Sequence, residues 1–318
     1  MTRLDLGPFT RLLHSFHEAF LASGTERRIA DSESVLGLVL HALSRGPSGT
    51  DSCRQFGFTP SNRSKYWRDG LALLVDVLRT MPEAAIVWPS QEQMVQLGDL
   101  TACRVSELER AFGALDGSLF SIARPAGNAE QRRYYSGYKC THAVKCVFVF
   151  GSDGCIIWSV VNLPGSLHDS WCCSLGGLYD LLDATTPDGM CILADTAFQR
   201  GPHVLCTSDT RTLQGLSVTD SILMRAASRI VSKARILVEW SIGGLKSTFR
   251  ILRHKLIDAG LRPAIFEACL RLWNFRVRTM AVSEVAKVFS RSEDLLEIPH
   301  DPSEEFNVDY VEPEPDDY

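Results

Sequence analysis

The spacing of apolar residues predicts that the first third of the chain is helical. Up to about residue 105, apolar positions recur every three or four residues. This pattern predicts helices over residues 9–21, 32–44, 51–56 and 91–102. A further long helix begins near Thr59 or Ser61, either of which can cap it, and ends before Pro82.

From about residue 113 the spacing changes to the alternation that is typical of strands. The predicted strands cover residues 114–122, 142–150, 155–162 and 190–194. Helices are predicted over residues 170–182, 228–252 and 263–282, and residues 196–227 are loop-rich. Three strands of a meander, a helix, a fourth strand and a helix predict an α/β fold of the ribonuclease H-like type. Its central sheet is mixed and has helices on both faces.

These patterns predict three parts: an all-helical N-terminal region over residues 1–105, a ribonuclease H-like domain over 106–290, and an acidic tail over 291–318. Residues 301–318 hold eight acids and neither lysine nor arginine, so we predict that the tail is disordered. Without those residues the net charge changes from −5 to +3, with 33 basic and 30 acidic residues. Such a weakly basic body permits contact with DNA but does not require it.

The composition is that of an ordinary soluble globular protein, with 45% hydrophobic and 22% charged residues. No apolar run approaches the roughly 18 to 20 residues that span a bilayer, and the N-terminus does not resemble a signal peptide. We therefore predict an intracellular protein without membrane contact. None of the ten cysteines forms a CxxC pair, which favours free thiols over a zinc site formed by cysteine and histidine.

The helices over the first part of the chain have an order that suggests DNA binding. A helix, a short helix, a tight turn and a helix that opens with Arg63, Lys65 and Arg68 follow each other as in a helix-turn-helix element. A helical bundle with a solvated basic face explains the same pattern. The sequence leaves both interpretations open.

Three acids far apart in the chain are candidates for one metal site. Asp116 lies on the first predicted strand, Asp195 ends the fourth, and Glu239 lies on the helix that follows. In this fold the first and fourth strands are neighbours at the centre of the sheet, so the acids converge. Carboxylates suit Mg²⁺ or Mn²⁺, and two such ions can support phosphodiester cleavage.

Each acid also has a simpler explanation. Asp116 precedes a glycine, as residues in turns often do, and Asp195 is placed to cap a loop. Glu239 has apolar sequence neighbours, which predicts a buried carboxylate that needs a metal ion or a salt bridge to Arg235 or Lys246.

Basic and aromatic residues outside the acids are candidates for binding DNA. The helix around Glu239 carries six bases, and the segment before the second strand mixes arginines with Tyr134, Tyr135 and Tyr138. His168 and Asp169, after the third strand, either orient a phosphate or cap the next helix with Asp169. Solvated faces and strand-edge packing are the alternatives. The candidate DNA contacts are Arg63, Lys65, Arg68, Arg132, Arg133, Lys139, His168, Lys246 and Arg250.

Five segments in order give the chain a resemblance to the PIF/Harbinger superfamily of DDE transposases, over about residues 32–282. They are LDGS at Asp116, GYKCTHAVK with the following SDG, PGSLHDS, ILADTAF at Asp195, and ILVEWSIGGLKSTFRIL at Glu239. The spacing of 44 positions from Asp195 to Glu239 also agrees with such a family. The chain departs from the family pattern after each acid, at residues 118–120, at Phe198 and at residues 240–243, but no departure removes an acid.

The resemblance implies that Asp116, Asp195 and Glu239 form a catalytic triad with two Mg²⁺ or Mn²⁺ ions. The implied reaction is hydrolysis of double-stranded DNA at transposon terminal repeats, followed by strand transfer into a target site. A Myb-like helper protein that assists DNA binding and import into the nucleus is implied as a partner, and a homodimer by analogy. Without such a helper the expected location is cytoplasmic.

Two other functions are compatible with the same residues. A domesticated descendant would bind DNA or a Myb-like partner without cutting. A ribonuclease H-like hydrolase would act on RNA or on a small phosphoester.

Overall fold

A computed structural model describes residues 4–23, 30–46, 49–208 and 213–280. The predicted acidic tail and the last two residues of the final predicted helix lie outside these ranges. None of the helices in the described ranges is both long and apolar enough to span a bilayer.

Five helices begin the chain, close to where the sequence predicts them. They are α1 (Leu6–Ala22), α2 (Ser32–Arg45), α3 (Gly49–Phe56), α4 (Pro60–Thr80) and α5 (Gln91–Ala102). Thr59 rather than Ser61 caps α4, because its hydroxyl accepts from the Asn62 N–H at 3.3 Å. The order of the helices is confirmed, whereas the helix-turn-helix assignment of α3 and α4 stays a prediction.

A mixed sheet flanked by helices follows, which confirms the predicted α/β class. Its strands are β1 (Ala111–Ser121), β2 (Tyr135–Ser136), β3 (Thr141–Gly151), β4 (Ile156–Pro164), β5 (Cys191–Ala194) and β6 (Val204–Cys206). The helices between and after them are α6 (Asn128–Tyr134), α7 (Asp169–Leu175), α8 (Leu178–Thr185), α9 (Val218–Thr248) and α10 (Arg262–Met280). The strand order is β4-β3-β1-β5-β6, and β2 pairs with the first residues of β3. β1 runs antiparallel to β3 and parallel to β5.

Two predicted elements differ from the structure for local reasons. The helix predicted over residues 170–182 is divided into α7 and α8 because Gly177 adopts a left-handed φ of 70°. α9 begins at Val218, ten residues before the predicted start, because Ser217 caps it by accepting from the Asp220 N–H at 3.1 Å. Residues 196–227, predicted to be loop-rich, contain β6 and the first turns of α9.

Apolar side chains fill both faces of the sheet. On one face, α9 and α10 pack through residues such as Val238 and Phe266 against Ala114 and Phe120 of β1, and this cluster continues into α1, α2 and α4. On the other face, α5, α7 and α8 pack against Leu115 and the strand residues that share its side of the sheet. The N-terminal helices therefore share a core with the sheet, and the predicted boundary at residue 105 stays a prediction.

Asn274 of α10 connects this core through three hydrogen bonds. Its side chain is fully buried. It accepts from the Ile156 N–H at 2.8 Å, and it donates to the Ile156 carbonyl at 2.8 Å and to the Ala85 carbonyl at 2.9 Å. One amide thus links α10 to β4 and to the segment that follows α4.

An ion pair between α4 and α10 predicts a pH-dependent contribution to stability. Arg79 of α4 donates to both carboxylate oxygens of Glu267, at 2.8 and 2.7 Å, and Arg271 donates to one at 2.9 Å. Burial raises the pKa of Glu267, but the hydrogen bonds and charges of the two arginines outweigh it and the net shift is downward. A lowered pKa stabilises the folded state above the ordinary carboxyl pKa, and this contribution is lost as the pH falls through the lowered value.

We expect Glu267→Gln to reduce the free energy of unfolding by up to about 1 kcal/mol near neutral pH, since the pair is partly exposed to solvent. The difference from wild type should shrink as the pH falls below about 4, because the wild-type carboxyl becomes protonated only below the ordinary carboxyl pKa. Urea unfolding at several pH values measures it, with the exposed Glu109→Gln as the control. A difference that stayed constant with pH would contradict the ion-pair explanation.

Candidate functional site

Pairing between β1 and β5 places two of the three predicted acids side by side. Ala114 of β1 pairs with Leu193 of β5 in parallel register, and both side chains pack in the cluster beneath α9. Asp116 and Asp195 each lie two residues beyond this pair. Because side chains alternate along a strand, both acids lie on the face that α9 covers.

Arg235 of α9 lies between these two aspartates. Its Nη2 atom is 3.6 Å from Oδ1 of Asp116 and 4.0 Å from Oδ2 of Asp195. The Arg235 side chain is only 11% exposed, whereas the aspartates are 23% and 35% exposed. Glu239 lies one turn later on the same helix. The structure therefore brings the two aspartates together around a buried guanidinium, with Glu239 next along α9.

The environment of Asp116 shows that the other two acids act on its carboxyl. Burial raises the pKa of Asp116 to about 7, the guanidinium of Arg235 opposes this rise, and the negative charges of Asp195 and Glu239 add to it. A hydrogen bond from the Gly117 N–H also lowers the pKa. The backbone N–H of Ala197 orients the Asp195 side chain by donating to its Oδ1 at 2.8 Å.

The prediction that Glu239 is buried is wrong. Its side chain is exposed, because its apolar sequence neighbours Leu237 and Val238 point to other sides of α9 and into the core. The predicted salt bridge from Arg235 to Glu239 is replaced by the contacts of Arg235 with the aspartates. Within the described ranges, none of the ion pairs includes Glu239.

The acids match a divalent cation in chemistry but are not arranged as a closed ligand set. In the part of the chain that the structure describes, no group of three or more His, Cys, Asp or Glu side chains is close enough to hold a metal ion. The same search included the cysteine and histidine side chains that a zinc site would use. All ten cysteines are free thiols. Carboxylate oxygens from Asp116, Asp195 and Glu239 are nevertheless the donors that Mg²⁺ and Mn²⁺ prefer. Their assignment as ligands stays a prediction.

An ion pair that the sequence did not predict lies beside Gly117. Lys145 of β3 has its Nζ 2.6 Å from Oδ1 of Asp169. A Cβ atom at Gly117 would lie 2.8 Å from that same oxygen, so the glycine makes room for the pair. His168, not Asp169, occupies the cap position of α7, and its side chain makes no capping bond. The one signal in the sequence was a lysine within an otherwise apolar strand.

The predicted DNA contacts lie mostly on the surface, on several elements. The exposed ones are Lys65, Arg68, Arg132, Arg133, Lys139, His168 and Arg250, and Arg63 is partly buried. Lys246 differs, because its Nζ lies 4.7 Å from the centroid of the Phe120 ring and burial lowers its pKa. Lys246 therefore does not extend into solvent as a free basic side chain. The role of all nine residues in DNA binding stays a prediction.

The raised pKa of Asp116 predicts that removing its charge stabilises the fold. We expect Asp116→Asn, in EDTA at about pH 8, to raise the free energy of unfolding by about 1–3 kcal/mol, with the lost attraction to Arg235 limiting the gain. For a carboxyl with a raised pKa, the wild-type contribution is full below the ordinary pKa and is lost as the pH rises through about 7. The gain of the variant should therefore be smallest near pH 4 and grow toward about pH 8.

Urea unfolding of wild type, Asp116→Asn and the exposed control Asp188→Asn across this pH range tests the prediction. A variant less stable than wild type at about pH 8 would mean that Arg235 stabilises the carboxylate more than burial destabilises it.

Comparison with known proteins supplies one match. A family model described as DDE superfamily endonuclease matches residues 115–274, which is half of the chain and includes all three acids. No curated protein and no solved structure matches the chain.

Proposed function

Because the chain belongs to the DDE superfamily endonucleases, we propose that it is a transposase of the PIF/Harbinger type. It cuts double-stranded DNA at the ends of a transposon and joins the free 3′ ends to target DNA. The observation that carries the proposal is the register of β1 and β5, which sets Asp116 beside Asp195 beneath the helix that bears Glu239. All three acids lie inside the segment that matches the family.

The strand order supports a ribonuclease H-like assignment of the sheet. The first three long strands form an antiparallel meander, and the next two strands extend the sheet in parallel from β1. The first aspartate lies on the central strand and the second follows its parallel neighbour. This arrangement places both aspartates on the face of the sheet that α9 covers.

Asp116, Asp195 and Glu239 are the residues that would hold two Mg²⁺ or Mn²⁺ ions. When bound, such ions activate the attacking water and stabilise the leaving oxygen. Asp195 is prepared for binding, because the Ala197 N–H occupies Oδ1 and leaves Oδ2, which lies 4.0 Å from Nη2 of Arg235, without that bond. Asp116 must lose its proton to act as a ligand, so proton binding and metal binding compete at this carboxyl.

Basic side chains outside the acids are proposed to hold the DNA backbone. Those of α4 and α6 and the exposed Lys139 supply positive charge on separate elements, which suits contacts with phosphates along a duplex. The terminal repeats and a target site are the proposed DNA partners. A Myb-like helper, a homodimer and a nuclear location are proposed from the family resemblance alone.

The test is a cleavage assay on duplexes that carry the ends of the genomic element encoding the chain. The protein should nick or cut these duplexes with Mg²⁺ or Mn²⁺, leave them intact in EDTA, and act much less on duplexes with scrambled ends. Binding without cleavage at any concentration of either ion would instead support a domesticated, non-cutting protein. Preference for an RNA strand at matched salt would support an RNA hydrolase.

A further inference from the structure

Arg235 has a position that the proposed reaction does not explain. It is the basic residue that pairs with Asp116 and with Asp195 in the described part of the chain, and its side chain is almost fully enclosed. Its distances to their oxygens, 3.6 and 4.0 Å, exceed the 2.7–2.9 Å typical of a strong charged hydrogen bond. The guanidinium balances the charge of both acids without being bonded tightly to either.

The helix, rather than hydrogen bonds, holds this side chain in place. Ala234 and Val238, on either side of Arg235 in sequence, are buried against the sheet and fix this part of α9. The Nε atom of Arg235 is buried and has no hydrogen-bond partner. A side chain that is anchored by its backbone but weakly bonded at its charged end can change its contacts at low cost.

We infer that Arg235 is the built-in counter-cation of the acidic site, and that a divalent metal ion must displace its guanidinium from between Asp116 and Asp195 in order to bind. This inference rests on the proposed function, because it takes these acids as metal ligands. Two cations within a few ångströms repel each other, so the guanidinium and a metal ion compete for the same pair of carboxylates. Arg235 keeps the two acids together in the metal-free protein and weakens metal binding.

Metal affinity of the DNA-free protein provides the test, with calorimetric titration of Mn²⁺ as the readout. Arg235→Gln should bind Mn²⁺ at least about tenfold more tightly than wild type, because the competing charge is gone. Arg235→Lys keeps a cation and should stay near wild type. Arg229→Gln removes a positive charge from an exposed position of α9 about 9 Å along the helix axis, and should leave the affinity unchanged.

Thermal unfolding separates competition from a merely structural role. In EDTA, Arg235→Gln should melt below wild type, because Asp116 and Asp195 lose their counter-charge. Saturating Mn²⁺ should restore the melting temperature to that of metal-loaded wild type, so the metal-induced rise is larger in the variant. If Arg235 acted only by supporting α9, the deficit would persist in Mn²⁺, and the inference would be overturned.

The affinities also distinguish failure of this inference from failure of the proposed function. If Arg235→Gln binds Mn²⁺ no more tightly than wild type while Asp195→Asn loses binding, the metal site stands and the competition is refuted. If wild type and Arg235→Gln both fail to bind Mn²⁺, the proposed metal site is refuted, and the inference with it.

Discussion

Asp195→Asn is expected to reduce metal-dependent DNA cleavage at least about a thousandfold, equivalent to roughly 4 kcal/mol of transition-state stabilisation. The substitution preserves the size of the side chain, and its carbonyl oxygen can still accept from the Ala197 N–H. It replaces Oδ2, the oxygen 4.0 Å from Nη2 of Arg235, with an amide nitrogen that donates hydrogen bonds and does not ligate a hard cation. The loss should therefore fall on the chemistry and leave the fold intact.

The control for this experiment lies at the other end of the same strand. Asp188 is exposed and lies before the first residue of β5. The length of the strand therefore separates it from Asp195. Asp188→Asn should cut DNA like wild type. Duplex affinity measured in EDTA should be equal or higher for Asp195→Asn, since a negative charge near the DNA is removed. Equal cleavage by wild type and Asp195→Asn would refute the catalytic assignment.

Asn274→Ala is expected to produce the largest loss of stability, about 3–5 kcal/mol. The side chain is fully buried and makes three hydrogen bonds to backbone groups of Ile156 and Ala85. Alanine leaves the two buried Ile156 groups without these hydrogen bonds, each at a cost of about 1–3 kcal/mol, and also leaves a small cavity, whereas the Ala85 carbonyl still accepts from Arg278 at 2.7 Å. Urea unfolding followed by circular dichroism measures the change.

Asn128→Ala is the matched control, because it makes the same chemical change at an exposed position at the start of α6. It should change the free energy of unfolding by at most about 0.5 kcal/mol. A loss below about 1 kcal/mol for Asn274→Ala would mean that water or a shifted side chain replaces its bonds. The proposed link between α10, β4 and the segment after α4 would then be wrong.

Local signals in the sequence were sufficient to predict an element where neighbouring residues fix its ends. The predicted helix over residues 91–102 matches α5 at both ends, because Ser90 and Gln93 form a capping box at its start. The four predicted strands exist because alternating apolar residues pack against two separate clusters. The prediction that Asp116 and Asp195 converge followed from the order of the strands, and the observed parallel pairing of β1 with β5 agrees with it.

Contacts between residues far apart in the sequence could not be predicted from local signals. The sequence offered Arg235 as a salt-bridge partner of Glu239, four residues away, whereas the structure pairs it with Asp116 and Asp195 on the sheet. The partnership of Lys145 with Asp169 likewise depends on how α7 packs beside β1. Sequence neighbours do not specify which side of a long helix faces the sheet, so the exposure of Glu239 was also missed.

The pairing of β1 with β5 also sets the order of events while the protein is being made. The acid on β1 leaves the ribosome 79 residues before its neighbour on β5 and 123 residues before Glu239. At ordinary rates of translation, the nascent chain is without its last acid for roughly 6 to 25 s. For the first 79 of those residues the edge of β1 that β5 later covers has no strand beside it, and the proposed metal site lacks at least one acid until Glu239 is made. A product truncated before β5 is therefore expected to be both inactive and prone to aggregate.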